Sequence, residues 1–159
     1  MKARIRAASL ASILVACSLA AFGQGKACAL ATPAELEALG GKATMAAGTM
    51  GSVETCNGTV GAANVLIRLL KRTGDAPKSN EHPGVEAVKK MGATVETKTF
   101  GPIFCMAVTP SAQMAAYGFT TSCTVSKHPM YAVIEVKTPK EGTPIDKLRP
   151  IAEKMASRF

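Results

Sequence analysis

The second half of the chain alternates hydrophobic and polar residues with the two-residue period of a β-strand. In residues 119–126 the alternation is strict and places Cys123 and Val125 on one face. Turn-forming residues such as Gly101 and Pro129 separate these segments, so we expect consecutive strands to pair antiparallel. The same kind of pattern predicts further strands at residues 93–100, 103–108 and 131–137.

Helical signals lie outside this block of strands. Thr32, Pro33 and Glu35 have the spacing of a capping box with proline in the first turn, which predicts a helix that ends at Gly40. A second helix is predicted at residues 84–91.

The C-terminal segment has the apolar stripe of a helix but contains a proline. A proline inside a helix clashes with the preceding turn. Pro150 therefore predicts one helical turn at residues 144–148 and a separate helix at residues 150–158.

The segment between the first two helices is harder to assign. Residues 42–62 are rich in Gly, Ala and Thr, and we expect loops and strand-edge segments around Cys56. Residues 64–72 fit a strand or a helix, and their β-branched start favours the strand. Residues 73–84 contain the glycine and prolines of an exposed loop.

The first 23 residues have the composition of an export signal. Lys2, Arg4 and Arg6 precede an apolar run at residues 7–22, and small residues stand before Gln24, as a signal peptidase site requires. We therefore expect a periplasmic or secreted protein. Residues 1–23 would be the signal peptide, and residues 24–159 a single α+β domain.

A second route of processing remains open at the same signal. Leu14, Val15, Ala16 and Cys17 match a bacterial lipobox, in which Cys17 would be lipidated and would tether the domain to a membrane. The residues after Cys17 stay apolar, which favours simple cleavage. Both routes remove Cys17 from the cysteines that could pair.

Four cysteines remain, an even number in an oxidising compartment, and this predicts two disulfides. Cys105 and Cys123 fall on the apolar faces of neighbouring predicted strands, whereas Cys28 and Cys56 flank the first helix and its loop. We therefore favour the pairs Cys28–Cys56 and Cys105–Cys123. The chain has no C-x-x-C motif and no zinc spacing, which argues against a redox or zinc site.

These patterns together predict an α+β fold with an antiparallel sheet of about four to five strands. The helices are expected to pack on one face of the sheet, and two disulfides to stabilise the domain. The formal charge of +8 is spread along the chain. Because no dense basic run is interleaved with aromatic residues, we do not expect a nucleic-acid partner.

Catalytic chemistry is not evident in the sequence. There is no G-x-S-x-G motif, and Glu35 and Glu37 are expected on different faces of one short helix. We assign no catalytic residue, no metal ligand and no cofactor, and we expect a protein that is not an enzyme. One alternative is copper handling by His128, Met130 and Met114, since imidazole and thioether groups suit that metal.

Residues 28–40 read CALATPAELEALG and resemble the opening of small exported bacterial proteins and lipoproteins of unknown function. In that family a cysteine precedes a C-x-L-x-T-x-A-E helix that ends in glycine. Residues 131–159 resemble the family's final strand and helix. The resemblance implies an envelope location and disulfides, but no activity and no functional residue. The expected function is therefore non-catalytic binding of an envelope partner or small ligand, with membrane contact only if Cys17 is lipidated.

Overall fold

The computed structural model describes residues 25–71 and 85–159. The predicted signal peptide at residues 1–23, the alternative lipidation site Cys17 and the predicted loop at residues 73–84 lie outside the described residues. None of the helices in the described ranges is long and apolar enough to cross a membrane.

Within the described ranges, seven strands form one antiparallel sheet in the order β1-β2-β3-β7-β6-β5-β4. The strand number corrects the expectation of four to five, whereas the α+β class and the antiparallel pairing are confirmed. The strands are β1 (Ala43–Met50), β2 (Val53–Val60), β3 (Ala63–Lys71), β4 (Thr94–Phe100), β5 (Ile103–Thr109), β6 (Phe119–Lys127) and β7 (Met130–Thr138).

The additional strands β1 and β2 come from residues 42–62, where the sequence predicted loops and strand-edge segments. Two tight turns connect β1 to β2 and β2 to β3, and their first residues, Gly51 and Gly61, have φ angles of 62° and 57°. Glycine adopts this left-handed conformation without steric cost, and hairpin turns of two residues require it. The prediction of loops was wrong because Ala, Gly and Thr give only a weak strand signal in the sequence. In the folded chain, two complete hairpins form and pair the backbone N–H and C=O groups of this segment.

The part of the chain that the structure describes also contains four α-helices: α1 (Lys26–Ala29), α2 (Pro33–Leu36), α3 (Val85–Lys90) and α4 (Ile145–Arg158). The predicted capping box at α2 is confirmed. The Glu35 N–H donates to Thr32 Oγ1 over 3.3 Å, and the Thr32 N–H donates to Glu35 Oε2 over 2.9 Å. A 3-10 turn at Glu37–Leu39 continues α2 to Gly40, where the helix was expected to end.

Helix α4 is continuous, and the predicted break at Pro150 is wrong. Pro150 lies inside the helix and is exposed. The opposite side of α4 is buried against the sheet through Leu148, Ile151 and Met155. We attribute the continuous helix to this packing, which offsets the hydrogen bond that proline cannot donate.

Within the described residues, one hydrophobic core is built from residues of the sheet and of the helices α1, α2 and α4. Alternate residues of the strands face this core. Helix α3 instead packs beside β4 and buries none of its residues. The largest fully buried side chains include those of Leu36, Ile67, Ile134, Ile145, Leu148 and Met155.

Two disulfides cross-link this core, in the pairing that the sequence favours. Cys28–Cys56 joins α1 to β2 with a Cα–Cα distance of 5.0 Å. Cys105 and Cys123 are directly opposed on β5 and β6, with their Cα atoms 4.0 Å apart. The disulfides therefore connect the short helix to the first half of the sheet and pin two strands of the second half.

Candidate ligand-binding groove

A groove of about 490 Å³ opens where both ends of the described chain meet the β6–β7 turn. This volume lies within the range of small-molecule sites in proteins. Helix α1, the end of β3, the turn between β6 and β7 and the end of α4 supply its walls. The lining residues are Lys26, Ala29, Leu30, Leu69, Lys127, His128, Pro129, Met130, Arg158 and Phe159.

The inner surface of the groove is apolar. Leu30 and Leu69 belong to the hydrophobic core and are only 4% and 9% exposed, so their outer atoms form a fixed floor. Met130 and Phe159 are half-buried and pack against the same core. Because α1 is tied to β2 by the Cys28–Cys56 disulfide, the floor does not depend on the intrinsic stability of a helix of four residues.

The outer edge of the groove is basic. Lys127 Nζ donates to the main-chain oxygen of Phe159 over 2.6 Å. Arg158 Nη1 donates to the Leu30 oxygen over 2.9 Å, which joins the end of α4 to the end of α1. The Lys26 ammonium and the His128 imidazole have no hydrogen-bond partner among residues 25–71 and 85–159.

Glu35 lies behind this basic edge and fixes the position of Arg158. The two Arg158 nitrogens donate to the two Glu35 carboxylate oxygens, each over 2.6 Å, and Lys154 Nζ lies 3.3 Å from the same carboxylate. The bonds from Arg158, and then those from Thr32 and Lys154, hold the pKa of Glu35 well below its usual range. The same ion pair raises the pKa of Arg158.

This arrangement suits a ligand with an apolar body and an anionic end. The floor can remove hydrocarbon from water, and ammonium and guanidinium groups at the edge can donate charge-assisted hydrogen bonds to an acidic group. The Glu35 carboxylate already accepts bonds from Arg158 and Lys154, so its negative charge is offset, while Glu54 Oε2 accepts the main-chain N–H of Lys26 over 3.0 Å.

The structure brings two of the three predicted copper ligands together. His128 and Met130 line the same groove. Met114 lies in the 3-10 turn Ala112–Tyr117, at the opposite end of the nine-residue strand β6, about 30 Å away along the strand. Within the described ranges no three or more His, Cys, Asp or Glu residues form a group that could hold a metal ion.

Both glutamates that were considered for catalysis have structural partners. Glu35 bonds Arg158, and Glu37 Oε1 accepts the Ala43 N–H over 3.4 Å. The cysteines at 28, 56, 105 and 123 are all in disulfides.

Sequence reasoning missed Lys26, Lys127 and Arg158 as parts of one basic edge. They are 31 or more positions apart along the chain, and each taken singly is an ordinary surface cation.

A scan against family models and searches of curated proteins and of solved structures find no match to this chain.

Proposed function

We propose that this protein is an exported, non-catalytic binding domain whose groove takes a small amphipathic anion, such as an acyl chain that ends in an acidic group. The observation that carries the proposal is the combination of an apolar floor with a basic edge in one groove of about 490 Å³. The two disulfides indicate an oxidising, non-cytoplasmic location, where such ligands would derive from the cell envelope.

The apolar floor would supply most of the affinity. Each methylene group removed from water contributes about 0.8 kcal/mol, so an acyl chain that buries about six of them gains about 5 kcal/mol before the entropic cost of binding. The basic edge would select the anion. Because Lys26 and Lys127 are exposed, their contribution should weaken as salt concentration rises.

The direct test is titration of the purified exported protein with decanoate and with decanol, a ligand of similar length without the charge. We expect decanoate to shift the methyl NMR signals of Met130 and Leu69 and to bind about tenfold more tightly than decanol at low salt. Equal affinities, or shifts confined to residues outside the groove, would contradict the proposal.

Two variants separate the floor from the edge. Met130→Glu places a charge on the floor and should abolish decanoate binding, whereas Met91→Glu alters a methionine that is 53% exposed and lies outside the groove. Lys26→Gln should reduce affinity for decanoate and leave decanol unchanged. Lys90→Gln, on α3, is its matched control.

Export and anchoring are tested by the mass of the protein recovered from the cell envelope. Cleavage before Gln24 gives an unmodified mature chain, whereas lipidation of Cys17 gives a chain that starts there and carries acyl mass. We propose the first. Recovery of acylated Cys17 would establish the lipid-anchored alternative and place the groove beside a membrane.

A second candidate function is copper handling, because His128 and Met130 line the same groove. An imidazole and a thioether are suitable ligands for Cu(I). The candidate predicts that Cu(I) stabilises the wild type against heat and leaves His128→Ala unaffected. A melting temperature that Cu(I) does not change would remove it.

A further inference from the structure

The two edges of the sheet differ in their charge. Strand β4 carries Glu96 and Lys98, and Lys98 forms ion pairs of 3.2 Å with Glu96 and with Asp146 of α4. Charged side chains on an edge strand are a common protection against pairing with another chain. Strand β1 reads ATMAAGTM, has no charge, and has six of its eight residues exposed. The edge at β1 therefore lacks the protection that the edge at β4 has.

The backbone of β1 also offers free hydrogen-bonding groups. The Gly61 N–H donates to the Lys42 oxygen, which sets the alternation of the ladder with β2. Ala43, Met45, Ala47 and Thr49 consequently direct their N–H and C=O groups away from β2. Glu37 accepts the N–H of Ala43. No residue in the described parts of the chain bonds the outward groups of the other three.

We propose that β1 pairs antiparallel with β1 of a second copy, so that two sheets become continuous. A two-fold axis at Ala47 places each Met45 opposite Thr49 of the other copy, and the three outward-facing residues of each copy then exchange six hydrogen bonds. Ala46 lies opposite Gly48, and Lys42 lies opposite Ser52, so no like charges face each other.

The first test is the mass of the exported protein by light scattering over a range of concentrations, with amide hydrogen exchange on the same samples. We expect a dimer whose amides at 45, 47 and 49 become protected as the dimer fraction rises, while those at 44, 46 and 48 are protected throughout. A chain that stays monomeric overturns the proposal. This holds even if an added extract or peptide protects these amides, because such protection would mean that the β1 edge pairs with a strand from another protein.

The second test places the same charge on each edge. Thr49→Lys protects β1 and should raise the dimer dissociation constant about tenfold or more, whereas Thr99→Lys on β4 should leave it unchanged. Ala47→Pro removes an outward N–H that β2 does not use and should have the same effect as Thr49→Lys while the circular dichroism stays that of the wild type. A dimer that all three variants retain would overturn the proposal. No residue of β1 lines the groove, so decanoate binding is expected in every variant.

Discussion

Substitution of Glu35 by Gln should destabilise the protein at neutral pH by about 2 kcal/mol. Glu35 closes the capping box of α2 and receives both Arg158 nitrogens over 2.6 Å, with its side chain only 12% exposed. Exposed ion pairs contribute about 0.2–1 kcal/mol, and hydrogen bonds to charged groups about 1.5–3 kcal/mol. Since Arg158 is 34% exposed, a value between these ranges is expected. Glutamine keeps an acceptor for the Thr32 N–H, so the loss reports mainly on the charge.

The difference between wild type and Glu35→Gln should depend on pH with a defined sign. The folded state lowers the pKa of Glu35 below the unfolded value of 4.5. Its contribution is therefore complete above about pH 5 and is lost as the pH falls below 4.5, by at most about 1.4 kcal/mol per pH unit. By pH 3 the two proteins should have nearly equal stability.

The assay is urea unfolding with calorimetry at pH 7 and pH 3, under oxidising conditions. At pH 7 a loss of 2 kcal/mol corresponds to a fall of about 8 °C in Tm for a domain of this size. Glu153→Gln removes an exposed ion pair with Arg149 and is the control, with an expected loss below about 0.5 kcal/mol. The reasoning is refuted if Glu35→Gln equals the control at pH 7, or if its deficit persists undiminished at pH 3.

Two further predictions concern the backbone and the cross-links. Pro150→Ala should raise the free energy of unfolding by about 1–3 kcal/mol, because residue 150 is exposed inside α4 and alanine restores the missing N–H. Urea unfolding measures this as a higher midpoint at an unchanged slope, and a lower midpoint would contradict a continuous helix. Replacement of Cys105 and Cys123 by alanine should cost about 3 kcal/mol, since the disulfide closes a loop with a sequence separation of 18. Calorimetry with and without reductant checks this, and a wild-type Tm that reduction leaves unchanged would refute it.

The sequence predictions were accurate where the signal depends on residues close together in the chain, and they failed where the structure depends on distant residues. The alternation in residues 119–126 and the capping box at Thr32 depend on neighbours within one turn or one pleat, and β6 and α2 formed as predicted. The predictions for residues 42–62 and for Pro150 failed where long-range packing or pairing outweighs local propensity. The repeated Gly-Thr-x-Gly at residues 48–51 and 58–61 places its last glycine at the first turn position of each hairpin and was the one local sign of β1 and β2.

The candidate groove could not be predicted in the same way. His128 and Met130 are neighbours in the sequence, but Lys26 and Arg158 line one groove only because the end of α4 reaches the end of α1, where Arg158 bonds the Leu30 oxygen. Exposed lysines and arginines give no local sign of what they will face. The absence of charged residues in β1 is likewise evident from the sequence, but it matters only because β1 is an edge strand of the sheet.

The amino-acid sequence by itself determined the α+β class, the strands from β4 to β7, the capped helix and the division of four cysteines into two pairs. These features arise from periodicity, capping and turn chemistry, which act locally. The tertiary structure alone decided that β3 pairs with β7, that β1 becomes an unprotected edge, and that both ends of the described chain enclose one groove. Such outcomes depend on which distant surfaces bury one another, and that balance of packing free energies is not encoded in any single segment.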